Sequence, residues 1–159
     1  MIDIGDLAPD FTGVLTNGHP WSLREQQGKQ HVILYFFPKD FTPGCTREAC
    51  SFRDQYPDIS ALDAVVIGVS TDTPETHAQF AATHHLPYPL ISDVDGRIAN
   101  AYGVARFKGW LPTKRVTFVI DKSGTVRQII HSEFNIERHI DEALDTERQL
   151  EGTPAATTP

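Results

Sequence analysis

The sequence predicts an α/β fold with a central mixed β-sheet flanked by helices, and three observations carry that reading. The runs His31–Phe37 and Ala64–Ser70 are continuously apolar and rich in β-branched and aromatic residues, as strands buried on both faces are. A helical stretch separates them, and a strand–helix–strand crossover implies parallel pairing with helices on the sheet faces. Val116–Ile120 and Thr125–Ile130 are joined by Asp121-Lys122-Ser123-Gly124, a turn sequence, so the last two strands form an antiparallel hairpin at one side.

Each helix has its own signal. The first follows the Thr42-Pro43-Gly44 punctuation and is expected over Thr46–Tyr56. The second opens on Thr73-Pro74-Glu75, where Thr73 suits the N-cap and Pro74 the first helical position. The third, Ile136–Leu150, sets Ile136, Ile140, Ala143, Leu144 and Glu147 near one face. The resulting order is the layout of a thioredoxin-like fold. The 159 residues suit one domain, placed at residues 1–151. The small, Pro-containing stretch Gly152–Pro159 reads as a frayed tail.

Composition narrows the function. With 14 Lys plus Arg against 21 Asp plus Glu, the net charge is −7, and no basic face for nucleic acid or an anionic membrane is expected. No run approaches the roughly 20 apolar residues of a membrane-spanning helix. The acidic start Met1-Ile2-Asp3-Ile4-Gly5-Asp6 does not resemble a basic-then-apolar leader, so a reducing, cytoplasmic setting is expected. There, two cysteines are better suited to redox chemistry or to remaining unpaired than to a permanent staple. Two are also too few for the usual four-ligand structural zinc site.

The chemistry concentrates in Phe37-Pro38-Lys39-Asp40-Phe41-Thr42-Pro43-Gly44-Cys45-Thr46-Arg47-Glu48-Ala49-Cys50. A buried strand runs into a Pro/Thr/Pro/Gly loop that delivers Cys45 to a helix start. Free N–H donors and the positive end of the helix dipole lie there, and both favour thiolate over thiol. Thiolate is the attacking species, so Cys45 is placed as a nucleophile. Thr42 offers a hydroxyl that can donate and accept. Pro43 and Gly44 allow the backbone to approach a small ligand closely. Cys50 lies five residues on. In an intact helix, positions i and i+5 are about 8.7 Å apart at Cα, whereas a disulfide wants roughly 4.4–6.8 Å. Joining them therefore requires the first turns to unwind. Spacing alone reads equally well as two buried small hydrophobes on an amphipathic helix, but packing does not call for the Thr-Pro-Gly approach loop.

Pro38-x-x-x-Thr42-x-x-Cys45 resembles the active-site motif of peroxiredoxins, and the longer string to Glu48 is similar to the bacterioferritin comigratory protein, or peroxiredoxin Q, subgroup. Ala8-Pro9-Asp10-Phe11, Leu86–Asp93 and Arg115–Asp121 resemble other parts of that family, so the likeness covers roughly Ile4 to Leu150. The resemblance implies a thiol peroxidase for hydrogen peroxide and alkyl hydroperoxides. Cys45 would be the peroxidatic thiolate and become a sulfenic acid. Thr42 would hydrogen-bond thiolate and peroxide, Arg115 would stabilise the thiolate and the departing oxygen, and Pro38 would shield the sulfur from water. Thr42, Pro43, Gly44 and Glu48 would form the substrate site, with Glu48 orienting arginines. Cys50 would be the resolving thiol on the same helix. A thioredoxin or similar dithiol would reduce the resulting disulfide. No cofactor or metal is called for, and an intrachain pair suits a monomer.

Two other readings stay open at this point. A thioredoxin-type thiol–disulfide oxidoreductase normally carries Cys-x-x-Cys at the helix start, whereas four residues intervene here. A non-catalytic redox sensor is the other. Taken singly, Arg115 also reads as a strand flank, Thr42 as a cap, Pro38 as a strand stop and Glu48 as a first-turn acid. His84-His85 reads as surface, and His77, His131 and His139 are scattered without ligand spacing. Phe107, Trp110 and Leu111 could form either an apolar lip near the pocket or core.

Overall fold

The computed structural model describes residues 2–105 and 113–157, with side chains as far as Glu151. The strands are β1 (Thr12–Val14), β2 (Pro20–Ser22), β3 (His31–Phe36), β4 (Ala64–Ser70), β5 (Leu90–Ser92), β6 (Val116–Ile120) and β7 (Val126–His131). The helices are α1 (Pro43–Ala61), α2 (Pro74–Thr83), α3 (Arg97–Ala101) and α4 (Ile136–Thr157). Five strands form the main sheet in the order β5-β4-β3-β6-β7, and β1 and β2 make a separate hairpin. β3, β4 and β5 run parallel, as crossovers through α1 and α2 require, while β6 and β7 are antiparallel to their neighbours. The expected mixed sheet with a terminal hairpin is therefore present.

Strand alternation divides the core between the two sheet faces. Ile33, Tyr35 and Phe37 point into one cluster with Cys45, Ala49 and Phe52 of α1 and Ile136, Ile140, Ala143 and Leu144 of α4. Val32, Leu34 and Phe36 point into another with Phe11, Leu23, Ile98 and Tyr102. β3 is buried along its whole length because both faces are covered. Glu147 shares the buried face of α4, as its spacing from Ile140 and Leu144 implies.

Several elements differ from the sequence reading. α1 starts at Pro43 rather than Thr46 and runs to Ala61, past an internal Pro57. α4 runs beyond Leu150 to Thr157. The side chains of 152–159, where a frayed tail is expected, lie outside the described residues. So do Phe107, Trp110 and Leu111, on which the reading of an apolar lip or core falls. The short β1, β2, β5 and α3 carry too few residues for a periodic signal.

Candidate active site

The site forms where the C-terminal end of β3 meets the start of α1. Thr42 is extended at the N-cap, Pro43 takes the first helical position, and Cys45 follows in the first turn. The first helical hydrogen bond runs from the Thr46 N–H to the Thr42 carbonyl at 2.8 Å. Cys45 is thus the third residue of the first turn, rather than just ahead of the helix as a start at Thr46 would put it, and lies among the unsatisfied N–H groups. Cys45 is buried, 1% exposed.

Sheet register brings Arg115 to the sulfur. β6 is antiparallel to β3 with Val116 opposite Phe36, so the residue before β6 lies beside the chain leaving β3. Arg115 Nη2 donates to Cys45 Sγ at 3.3 Å, and Nη1 donates to Glu48 Oε1 at 2.7 Å. Glu48 is three residues after Cys45, on the same face of α1. One guanidinium thus spans both groups. Its Nε donates to the Glu133 carbonyl at 3.3 Å, and the Arg115 backbone N–H donates to Glu133 Oε2 at 3.1 Å. Glu133 follows β7, whose last residue pairs with Val116, so the hairpin places both on one end of the sheet.

Gly44 has a specific role in this packing. A Cβ there would lie 3.2 Å from Arg115 Nη2, and glycine leaves room for the guanidinium above the first turn. The close approach expected at Pro43 and Gly44 is that of a small ligand; within the fold it is the Arg115 guanidinium that packs against Gly44.

Glu48 has a fully buried side chain. Burial pushes its carboxyl up to about 7, against the opposing pull of Arg115. Its Oε2 has no hydrogen-bond partner among the described residues and lies 3.7 Å from His139 Nδ1. His139 is buried, and that burial lowers its basicity. Its Nε2 faces the Ser132 carbonyl at 2.7 Å, and its Nδ1 faces the Thr117 hydroxyl at 2.8 Å. A carbonyl only accepts, so Nε2 carries the hydrogen and Nδ1 accepts from Thr117. The neutral ring therefore turns a lone pair, not a proton, toward Glu48.

The remaining expected residues take defined places. The Thr42 hydroxyl donates to the Lys39 carbonyl at 2.8 Å, which closes the loop and leaves its oxygen lone pairs available. Thr42 makes no side-chain capping bond to α1. Pro38 is half-buried between β3 and the loop. Cys50 is partly exposed, on a different face of α1 from Cys45, and both cysteines are free thiols. The intact helix separates them as their spacing requires.

Sequence reasoning did not identify Glu133, His139 or the buried pair His77–Asp40. None has a local pattern, because each is brought in by strand register or helix packing. His84 packs on the rings of Phe80 and Phe41, and His85 is exposed.

Chemically, this is a thiol at a helix mouth, held by a guanidinium that is itself fixed by the Glu48 carboxylate and the Glu133 carbonyl. A fixed guanidinium is suited to hold an anionic sulfur and to meet charge developing on an oxygen beside it.

Comparison with known proteins agrees. Residues 4–129 match the AhpC/TSA family. The chain is 39% identical over 154 residues to peroxiredoxin Bcp of Bacillus subtilis, covering 94% of this chain and 97% of that one. It is 45% identical over 141 residues to the chloroplastic peroxiredoxin Q of Gentiana triflora, covering 88% of this chain but 64% of that relative's length. The fold superposes on peroxidoxin BcpB of Mycobacterium tuberculosis with a TM-score of 0.88 at 38% identity, over 94% of this chain and 99% of that chain. It also matches the Xanthomonas campestris bacterioferritin comigratory protein, studied for alkyl peroxide reduction, with a TM-score of 0.84 at 28% identity, over 94% and 99% of the two chains. With a cysteine at the helix mouth, an arginine on its sulfur and this likeness along nearly the whole sequence, the chain belongs to the AhpC/TSA family of thiol-dependent peroxidases, alongside the peroxiredoxin Q and Bcp proteins.

Proposed function

We propose that Cys45 is the peroxidatic thiolate and Cys50 the resolving thiol of a peroxidase acting on hydrogen peroxide and alkyl hydroperoxides. The observation that carries this reading is the 3.3 Å bond from Arg115 Nη2 to Cys45 Sγ at the start of α1. The thiolate attacks the terminal oxygen of ROOH, the O–O bond breaks, and the sulfur takes the OH as a sulfenic acid. The departing RO⁻ takes a proton and leaves as ROH. Arg115 meets the charge on that oxygen, and Thr42, with lone pairs to spare, holds the peroxide. Pro38 limits water at the sulfur, while Pro43 and Gly44 form the floor on which Arg115 and substrate meet. Glu48 orients Arg115. Cys50 then displaces water from the sulfenic acid and forms the Cys45–Cys50 disulfide, and a thioredoxin-type dithiol returns both thiols while being oxidised itself.

No described helix is long and apolar enough to cross a membrane. The cycle needs a reducing compartment, and the cytoplasm supplies one. A resolving thiol in the same chain needs no second copy, which supports a monomer. The test is peroxide consumption with thioredoxin, thioredoxin reductase and NADPH, with thiols counted by mass before and after one equivalent of peroxide. Loss of two thiols within one chain is expected. No peroxide turnover in the unaltered chain would overturn the reading.

A further inference from the structure

The loop leading to Cys45 sends one side chain into the interior. Asp40 lies between Pro38 and Thr42, and its side chain is fully buried. Its Oδ2 meets His77 Nδ1 at 2.5 Å, and its backbone N–H donates to Asp72 Oδ2 at 2.8 Å. The Ser70 hydroxyl donates to the same Asp72 oxygen at 2.5 Å. His77 is also fully buried, and its Nε2 faces the Ile91 carbonyl at 3.1 Å. That carbonyl can only accept, so Nε2 carries a hydrogen. Two lone pairs would not approach to 2.5 Å, so a second proton lies between Nδ1 and Oδ2. Burial also favours the protonated acid at Asp40. Wherever that proton rests, the link is a short buried hydrogen bond. Asp40, Asp72 and His77 have ligand-type atoms within 4.8 Å of one another, but they already bond among themselves and to Ser70.

The next residue shows what this anchoring holds. Phe41 has φ of 64°, a left-handed backbone that an aromatic residue seldom adopts and that persists only when its surroundings enforce it. Its ring stands edge-on to Phe80, with centroids 5.0 Å apart. His77 and Phe80 both belong to α2, so consecutive loop residues dock on one helix. Thr42 and the start of α1 follow at once. The anchors lie at the end of β4 and the loop after it, on α2 and at the β5 carbonyl, none of which has to move when α1 unwinds.

We propose that His77 is a positioning residue for the oxidation of Cys45: through Asp40 it holds the strained turn 39–42 that presents Pro38 and Thr42 to the start of α1. This rests on the peroxidase reading. The turn matters for the attack on peroxide, where geometry is critical. It does not matter for disulfide closure, during which the first turns of α1 are released.

Two substitutions separate this role from general support. In His77→Asn the amide nitrogen falls near the place of Nδ1 and keeps a donor on Asp40. In His77→Gln it falls near Nε2 and keeps the Ile91 bond but loses Asp40. Stopped flow with hydrogen peroxide and mass-resolved quenching reads sulfenic-acid formation and disulfide closure separately. His77→Gln is expected to slow oxidation about tenfold or more, the scale of a small misplacement, with closure unchanged, and His77→Asn is expected to recover most of the loss. Equal rates in His77→Gln and the unaltered chain, a His77→Asn as slow as His77→Gln, or both steps falling together would overturn the proposal. If neither variant melts cooperatively, Asp40→Asn takes their place: selective slowing of oxidation supports the proposal and unchanged oxidation overturns it. An unaltered chain that does not react with peroxide would instead defeat the peroxidase reading.

Discussion

The Arg115 guanidinium lies 3.3 Å from the sulfur of Cys45, a residue 70 positions away in the chain, and the contact exists because β6 runs antiparallel beside β3. The same guanidinium holds Glu48 at 2.7 Å, so a single side chain ties Cys45 to a buried acid on its own helix.

Arg115→Lys keeps a positive charge but loses the fork that reaches two partners. A point charge cannot donate to Sγ and Oε1 in that geometry at once. Oxidation of Cys45 is expected to slow by roughly 10²–10³-fold, the usual cost of removing an oxyanion donor. Stopped-flow measurement under single-turnover conditions reads this directly. A rate within threefold of the unaltered chain would remove Arg115 from the chemistry.

Glu48 separates orientation from charge. Glu48→Gln retains a carbonyl oxygen for Arg115 Nη1 and is expected to keep activity within about tenfold, because the guanidinium stays in place. Glu48→Ala leaves a nearly buried cation without its partner, a change that costs about 3–5 kcal/mol. Chemical denaturation and peroxide turnover measured on both variants check the ordering. Equal losses in the two would mean that orientation is not what Glu48 supplies.

Cys50→Ser should form one sulfenic acid per chain and then stop, since thioredoxin meets no disulfide. Full turnover in this variant would show that Cys50 is not the resolving thiol. In the unaltered chain, oxidation should release the hydrogen bond from the Thr46 N–H to the Thr42 carbonyl. Amide exchange is expected to lose protection through the first turns of α1 in the disulfide form, because about 8.7 Å must shrink to bonding range. Superimposable α1 helices in the two redox states would contradict this.

Glu147 makes a prediction about stability rather than catalysis. It is fully buried, neither oxygen has a hydrogen-bond partner among the described residues, and burial pushes its carboxyl from 4.5 up to about 8. The folded chain therefore holds a proton that the unfolded chain releases near its ordinary value. Stability from this group is fully present below about 4.5 and is lost as pH rises through about 8. Glu147→Gln carries no such slope. Its advantage over the unaltered chain should grow from pH 5 to pH 8 and then level off, reaching a few kcal/mol at most. Urea unfolding across that range measures it, and a constant difference would refute the buried-acid account.

Much of the fold was legible because its signals are local. The long buried strands, the Thr73-Pro74 helix start and the Asp121–Gly124 turn each declare themselves within a few residues. The start of α1 was less so, because Pro43 and Gly44 read equally as loop and as first turn. β1, β2, β5 and α3 are three to five residues long, and pairing or packing, not periodicity, makes them.

The candidate site divides in the same way. Cys45, its approach loop and the unreachable distance to Cys50 follow from spacing along one helix, so the sequence by itself determined them. The family resemblance also singled out Arg115 and Glu48, but not what they touch. Tertiary structure alone decided that Gly44 makes room for the guanidinium, that Glu133 holds Arg115 from behind, and that His139 and the Asp40–His77 pair, scattered in the chain, lie buried around the helix start. Helix geometry is set by neighbours along the chain, whereas these contacts depend on strand register and on which faces become buried, and both are settled only when distant segments pack together.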